Sequence, residues 1–398
     1  MNQRIARRLA ASAIISAAAL STACADNTPT AAAPDASELP SGAGSSAAGS
    51  VIPGRYIVTL RDDVDDVPAY ARRVLGAQGG SLRATYAHAL RGFTAEMSAA
   101  AAASLAHDPR VAAVEPDRII TVSTTQTSAT WGLDRVDQRS LPLSGSFAYT
   151  GAASAVRAYI IDTGLQSDHP EFGGRAMNVY DGLGGTGEDC NGHGTHVAGT
   201  VGSISYGVAK EVMLRGVRVF DCSGSTATSN IIAGVEYVTL NHVKPAVANL
   251  SVSGPYSYAL NTAVMNLVSA GVFVSVAAGN ENTYACNRSP ASASTATTVA
   301  ATTSSDYRAS YSNYGSCVDL YAPGSSITST FIGSGTAVMS GTSMASPHVA
   351  GVAALYKGTF GDSAQYVIES WLKTKATASV VKGNVTGTPN KLLFKAGL

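Results

Sequence analysis

The stretch Val156-Arg157-Ala158-Tyr159-Ile160-Ile161-Asp162-Thr163-Gly164 decides how the chain folds. It is almost wholly apolar up to Ile161 and lacks the alternation of a strand with one face in water, so it reads as a strand covered on both faces. It ends on a carboxylate and a turn. Met213 to Val219, Val247 to Val252 and Val272 to Ala277 repeat the pattern, with helix-length segments between them. From Trp131 onward this predicts an α/β domain of three layers with a mainly parallel sheet. In such sheets function sits beyond the carboxyl ends of the strands, which is where Asp162 stands. A strand-end aspartate is commonly a turn former, so its chemistry has to be argued from its company.

Two other stretches supply that company. Asn191-Gly192-His193-Gly194-Thr195-His196-Val197-Ala198-Gly199 puts His193 where a glycine-lined loop runs into a helix. Ser340-Gly341-Thr342-Ser343-Met344-Ala345-Ser346-Pro347-His348-Val349-Ala350-Gly351 leads into an apolar, alanine-rich run through Leu355, a tight turn opening a buried helix with Ser343 at its mouth. Pro347 is expected in the first turn, where a missing N–H has no intrahelical acceptor to lose. Ser343 would then lie among unpaired N–H groups at the positive end of the helix. Most serines placed so are N-caps. A strand-end acid, a loop histidine and a helix-mouth serine together, however, supply orienter, base and nucleophile. Their chain order is Asp162, His193, Ser343, and order separates the families that converge on this chemistry.

The chain before this domain has three parts. Residues 1–25 carry Arg4, Arg7 and Arg8, an apolar core from Leu9 to Leu20, and Ala23-Cys24-Ala25. That is the form of a secretory signal. The rival keeps Cys24 as a lipidated first residue, but Ser21-Thr22-Ala23 matches a leucine-led lipobox poorly. Residues 26–52 are mostly Ala, Ser, Pro, Thr and Gly and read as a disordered tether. Residues 53–123 carry strands at Arg55–Arg61, Gly92–Met97 and Val111–Val122 with helices at Val67–Gln78 and Ser98–His107, a β-α-β-α-β order that suits a small ferredoxin-like α+β domain. Lys+Arg 27 balances Asp+Glu 27. Nothing in that balance favours nucleic acid or a membrane surface, and no segment after the leader is apolar enough to cross a bilayer.

YIIDTG at 159–164, NGHGTHVAG at 191–199 and SGTSMASPHVAG at 340–351 resemble the Asp, His and Ser blocks of the subtilisin-like serine proteases. Within them the chain is most similar to the aqualysin-type enzymes of the proteinase K branch. WGLDRVDQR, HPEFGGRA, YGVAK, AAGNEN and SNYGSCVDLYAPG extend the match, which runs from about Ala129 to Leu393. The resemblance implies a secreted serine endopeptidase of broad specificity, working through an acyl-enzyme. His193 would be the general base, Asp162 its orienter and Asn280 an oxyanion donor beside the Ser343 N–H. It implies that Gly224, Ser225, Thr226 and Ala227 pair with an extended substrate, and that Ser251, Val252, Ser253 and Gly254 with Ala277, Ala278 and Gly279 wall the pocket for an apolar or aromatic residue before the scissile bond. Ser253 replaces a usual glycine and is expected to narrow that pocket. Residues 53–123 resemble the family's propeptide, an inhibitor and folding template, with autoprocessing expected between Ser123 and Thr124 and residues 124–398 as the mature peptidase. Protein substrates and this propeptide are the expected partners, and a monomer is expected.

Beyond Cys24, the even number of cysteines favours disulfides, of which four cysteines allow three pairings. The resemblance selects Cys190 with Cys222 and Cys286 with Cys317. No CxxC spacing points to zinc. The resemblance also implies structural calcium, held by Asp319 with the carbonyls of Ser294 and Ala296. A second, weaker group is Asp134, Asp137 and Gln138, where Ser144 replaces a position often acidic in relatives. No cofactor is expected for catalysis. Gly182, Gly184 and Gly187 satisfy G-x-G-x-x-G but lack a buried strand before them and a helix after them. Two rival readings are a catalytically silent binding protein on the same scaffold and an α/β-hydrolase esterase. The esterase needs an acid and then a histidine after the nucleophile, and only His348 follows Ser343.

Overall fold

The computed structural model describes residues 51–118, 124–149 and 153–398. The expected leader, the tether up to residue 50 and the Ser123 side of the expected cut lie outside the described residues.

The small domain is an antiparallel sheet in the order Ser81–Tyr86, Gly92–Glu96, Val51–Leu60, Val111–Arg118, with helices Val67–Gln78 and Ala99–Leu105. Each helix starts on a side-chain cap, Asp66 bonding Ala69 N–H and Ser98 bonding Ala101 N–H. The connection is β-α-β-β-α-β, one strand more than the sequence predicts. The additional strand, Ser81–Tyr86, is an exposed edge on which Leu82 is the only strongly apolar residue, too little for a period-two signal. The first strand also starts at Val51, inside the expected tether.

In the large domain nine strands form one sheet in the order Thr377–Ala378, Lys391–Leu392, Leu320–Pro323, Thr297–Thr302, Phe273–Ala277, Ala246–Leu250, Arg157–Asp162, Met213–Arg218, Ala176–Asp181. All neighbouring pairs are parallel except the first. The four apolar runs of the sequence are four consecutive strands at its centre. Along Arg157–Asp162 the side chains divide between two cores. Ala158 and Ile160 face Val197, Val201 and the helix Thr342–Phe360, while Tyr159 and Ile161 face Ile231, Val235 and Leu260 on the opposite layer. Fully burying an isoleucine contributes about 1.5–3 kcal/mol, so both faces favour apolar residues and alternation disappears. After Arg157–Asp162 the chain adds strands on one side and then, from Ala246, on the other. The carboxyl end of Arg157–Asp162 therefore opens onto the switch point of the sheet.

Candidate active site

Asp162 is 1% exposed. Its Oδ1 accepts the Thr163 N–H at 2.8 Å and lies 2.7 Å from His193 Nδ1; its Oδ2 is buried with no partner among the described residues. The carboxylate thus fixes Nδ1 as the protonated ring nitrogen and leaves Nε2 as the basic one. Burial by itself lowers the His193 pKa, but the Asp162 charge, its hydrogen bond and the Asp189 charge outweigh it and raise the pKa above its ordinary value. The ring is therefore biased toward accepting a proton.

The two glycines around His193 have separate causes. Gly192 has φ 103°, and a Cβ there would come within 2.3 Å of the Phe331 ring; at Gly194 a Cβ would lie 2.2 Å from the Gly164 carbonyl oxygen. The loop before them is gathered by Asp189, which the sequence reading did not single out. Its Oδ1 accepts Asn191 N–H, Gly192 N–H and the Thr163 hydroxyl, and its Oδ2 accepts both the N–H and the hydroxyl of Thr195. The available signal was an acidic side chain shortly before a glycine-bounded helix start, which is where free N–H groups collect. Next to it, Cys190 joins Cys222, and Cys286 joins Cys317, the pairing that the resemblance implies.

Ser343 is the second residue of the helix Thr342–Phe360. Pro347 is not in the first turn, as expected, but in the second. There its missing N–H leaves the Ser343 carbonyl without its i+4 donor. Ser251 supplies the replacement, its hydroxyl donating to that carbonyl at 2.7 Å, while Ser343 Oγ donates to the Ser251 carbonyl at 3.1 Å. Asn280 is oriented by the same helix start. Its Oδ1 accepts the Thr342 N–H at 2.8 Å and the Thr342 hydroxyl at 2.9 Å, so its NH2 group is left to face outward. A Cβ built on Gly341 would lie 3.3 Å from Asn280 Nδ2 and 3.6 Å from the Ser343 nitrogen. Glycine at 341 keeps open the space that these two donors share.

A cleft of about 390 Å³ brings together Asp162, His193, Gly224, Ser251, Val252 and Ser253, with Phe220 and Met339 on its walls. Gly224 to Ala227 are mostly exposed and held by Asp221, whose Oδ1 accepts from Ser223 and Ser225. The Ser225 carbonyl accepts the Asp221 N–H and the Ala227 carbonyl accepts the Asn230 N–H, which pins the turn that carries the segment. Ala277, Ala278 and Gly279 are buried. Behind Gly279 stands a charged pair that the sequence reading missed. A Cβ on Gly279 would meet Ser253 Oγ at 2.6 Å and Glu281 Oε2 at 2.7 Å, and Glu281 pairs with Arg288.

The residues expected to hold calcium carry other partners. Lys373 Nζ lies 2.6 Å from Asp319 Oδ1 and 2.5 Å from Glu369 Oε1, and Thr298 N–H fills Asp319 Oδ2 at 2.8 Å. Ser294 and Ala296 lie on the turn leading into the strand Thr297–Thr302, beside which Asp319 bonds. In the second group Asp134 accepts the Ser144 hydroxyl and the Gly145 N–H, and Asp137 accepts Ala148 N–H and pairs with Lys395 at 2.9 Å. Gln138 accepts Ser144 N–H and turns its NH2 to the Ser140 and Pro142 carbonyls. Calcium wants six to eight free oxygens, and the side-chain oxygens of Asp319, Asp134, Asp137 and Gln138 instead carry ammonium, N–H or hydroxyl partners, so as arranged these side chains do not fit it. The strand Ala176–Asp181 does precede Gly182, but it is half-buried and the next helix starts only at His193, so the dinucleotide reading still lacks its context.

A serine peptidase is the class that this fold and these residues define. The Subtilase family model matches residues 155–397, and the Peptidase inhibitor I9 model matches residues 55–123. An extracellular serine proteinase of Thermus sp. (strain Rt41A) is 48% identical over 397 residues, 94% of this chain and 96% of that protein. An alkaline serine exoprotease A of Vibrio alginolyticus is 46% identical over 330 residues, 81% of this chain and 62% of that protein. The crystal structure of a cold adapted subtilisin-like serine proteinase, 49% identical, superposes with a TM-score of 0.66 over 68% of this chain and 99% of that chain. The chain belongs to the subtilase family and carries the family's inhibitor module ahead of the peptidase.

Proposed function

We propose that the chain is a secreted zymogen whose peptidase hydrolyses peptide bonds through Ser343, with His193 as general base and then general acid, and Asp162 as the residue that orients the ring and stabilises its charge. The observation that carries this reading is the 2.7 Å contact of Asp162 Oδ1 with His193 Nδ1 beside the Ser343-bearing helix. On attack, Ser343 Oγ turns from the Ser251 carbonyl and gives its proton to His193 Nε2 as it bonds to the substrate carbonyl carbon. The developing oxyanion takes the place bounded by Asn280 Nδ2 and the Ser343 N–H. The proton then passes to the leaving amine, and water releases the acyl group by the same steps.

The preferred substrate is a protein segment with an apolar or aromatic residue before the scissile bond, accepted broadly and limited in size by Ser253. The I9 match ends at Ser123, which supports self-cleavage between Ser123 and Thr124 and a mature enzyme of residues 124–398. The leader-like residues 1–25 and the extracellular Thermus relative support export. Among the described residues no helix is long and apolar enough to cross a membrane, and the mature enzyme is proposed to work as a monomer. The test is intact mass and N-terminal sequencing of the wild-type chain and of Ser343→Ala, each expressed whole. Wild type is expected to start near Thr124 and Ser343→Ala to stay uncut. Equal cutting of both would assign maturation to another protease, and cutting of neither would favour a silent scaffold.

A further inference from the structure

We propose that Lys373 and Lys395 are the resident cations of the two carboxylate groups at which subtilase resemblance implies calcium, so that this protein's fold does not depend on calcium at either place. At two independent places a lysine ammonium lies against the carboxylates concerned. At the first, Lys373 stands on the helix Gln365–Lys375, one turn after Glu369, and its Nζ reaches both Glu369 Oε1 and Asp319 Oδ1. One oxygen of Asp319 is thus held by the ammonium and the other by Thr298 N–H. At the second, Lys395 Nζ sits between Asp137 Oδ1, at 2.9 Å, and the Leu398 carbonyl, at 2.7 Å, with its side chain 3% exposed. Asp134, 1% exposed, spends both oxygens on the Ser144–Gly145 turn, and the other oxygen of Asp137 accepts Ala148 N–H.

Charge and tethering both favour the lysines at these carboxylates. A divalent ion and an ammonium compete for the same carboxylate oxygen, because two like charges about 3–4 Å apart repel, strongly at the buried Lys395 and less at the partly exposed Lys373. The ion that enters must therefore expel the lysine. Calcium stabilises a folded protein only through its free concentration, whereas a lysine carried on the chain neutralises its carboxylates at any calcium level. Both lysines come from the last part of the chain, residues 365–398, which also supplies the last two strands at one edge of the large sheet, Lys391–Leu392 and the edge strand Thr377–Ala378.

The experiment uses the full chain carrying Ser343→Ala, which removes self-digestion, and follows thermal unfolding in EDTA and in millimolar calcium chloride at matched ionic strength. The expected result is the same melting temperature in both, within about 1 °C. In the Lys373→Gln chain the Asp319 group is opened, and calcium is expected to raise melting by roughly 5 °C. Lys373 is partly exposed, so that variant tests the idea even if Lys395→Met fails to fold. A calcium-dependent rise in the Ser343→Ala chain that vanishes with Asp319→Asn or Asp137→Asn overturns the proposal, because the ion then displaces the lysine. A Lys373→Gln chain that calcium leaves unmoved also overturns it, since no divalent site was there to replace. A rise that survives both asparagine substitutions arises elsewhere and leaves the proposal standing for these two groups.

Discussion

Asp162 and Asp319 belong to the same parallel sheet but stand at opposite ends of their strands. Asp162 closes the strand Arg157–Asp162 at its carboxyl end, and Asp319 precedes the strand Leu320–Pro323 at its amino end. Asp162 keeps one oxygen buried without a partner among the described residues and accepts the histidine with the other. Asp319 has both oxygens engaged, by a lysine and by an N–H. Leaving a buried acceptor unpaired costs about 1–3 kcal/mol. The molecule tolerates that cost at the end of the sheet where a charge has work to do on a neighbouring ring, and avoids it at the end where the charge only has to be neutralised.

The sharpest way to break this contrast is to remove the Asp162 charge while keeping its shape. Asp162→Asn is expected to lower kcat about 10⁴-fold, because an amide no longer selects the tautomer that leaves Nε2 basic. Steady-state kinetics on a peptide amide measures it, and a loss under tenfold would remove Asp162 from the mechanism. In the wild type, the acid limb of kcat/KM is expected at a pH above the ordinary histidine value, since the charges of Asp162 and Asp189 raise the His193 pKa. Activity falls as pH drops through that value, for only the neutral ring can take the serine proton.

Asn280→Ala comes next. One donor of the pair beside Gly341 is lost, and removal of such a donor costs roughly 3–4 kcal/mol in the barrier, or 10²–10³ in kcat. KM is expected to change little, because the oxyanion exists only after attack. An equal effect on KM and none on kcat would move Asn280 from the oxyanion to ground-state binding.

How much of this was legible beforehand follows from the kind of signal each part carries. The four central strands were legible because both faces are buried and apolar runs result. The three catalytic-type side chains were legible because glycines and small residues mark the turns that hold them. Ser81–Tyr86 and Ala176–Asp181 were not, being partly exposed. Thr297–Thr302 was missed for another reason: it is fully buried but rich in threonine, whose hydroxyls find partners only in the fold, as Thr298 does at the Ala291 carbonyl. Asp189, the Glu281–Arg288 pair and the lysines at Asp137 and Asp319 are contacts between distant or irregular segments, for which no periodicity exists. Pro347 was read one turn too early, since the partner that makes its place tolerable, the Ser251 hydroxyl, comes from another strand end.

A third prediction concerns histidines that stand close to the catalytic one but are kept neutral. His196 donates from Nε2 toward the Ile327 and Ala337 carbonyls, and His348 bonds the Met344 carbonyl through Nδ1. Burial brings each pKa down to about 4. Between that value and the unfolded value near 6.5, the unfolded chain binds more protons than the folded one. Stability is therefore fully present above about pH 6.5 and is lost as pH falls toward 4, by about 3 kcal/mol for each ring. Melting temperature of Ser343→Ala against pH measures this, and His348→Gln is expected to flatten the slope. An unchanged slope would mean that other groups carry the acid sensitivity.

The smallest expected effect tests the pocket itself. Ser253 is exposed beside Gly279 and its hydroxyl lies 3.5 Å from Arg288 Nε, so the side chain both occupies volume and helps face the pocket with polar atoms. Ser253→Gly removes both at once. A change of one small group in a pocket is worth about 1–3 kcal/mol in discrimination, so kcat/KM for a phenylalanine before the scissile bond is expected to rise roughly tenfold relative to alanine there. The ratio matters more than either rate, because a loop made looser by glycine would slow both substrates together. If the ratio stays the same while both rates fall, Ser253 only stiffens the wall, and the Glu281–Arg288 pair behind Gly279 becomes the feature that sets the size and polarity of the pocket.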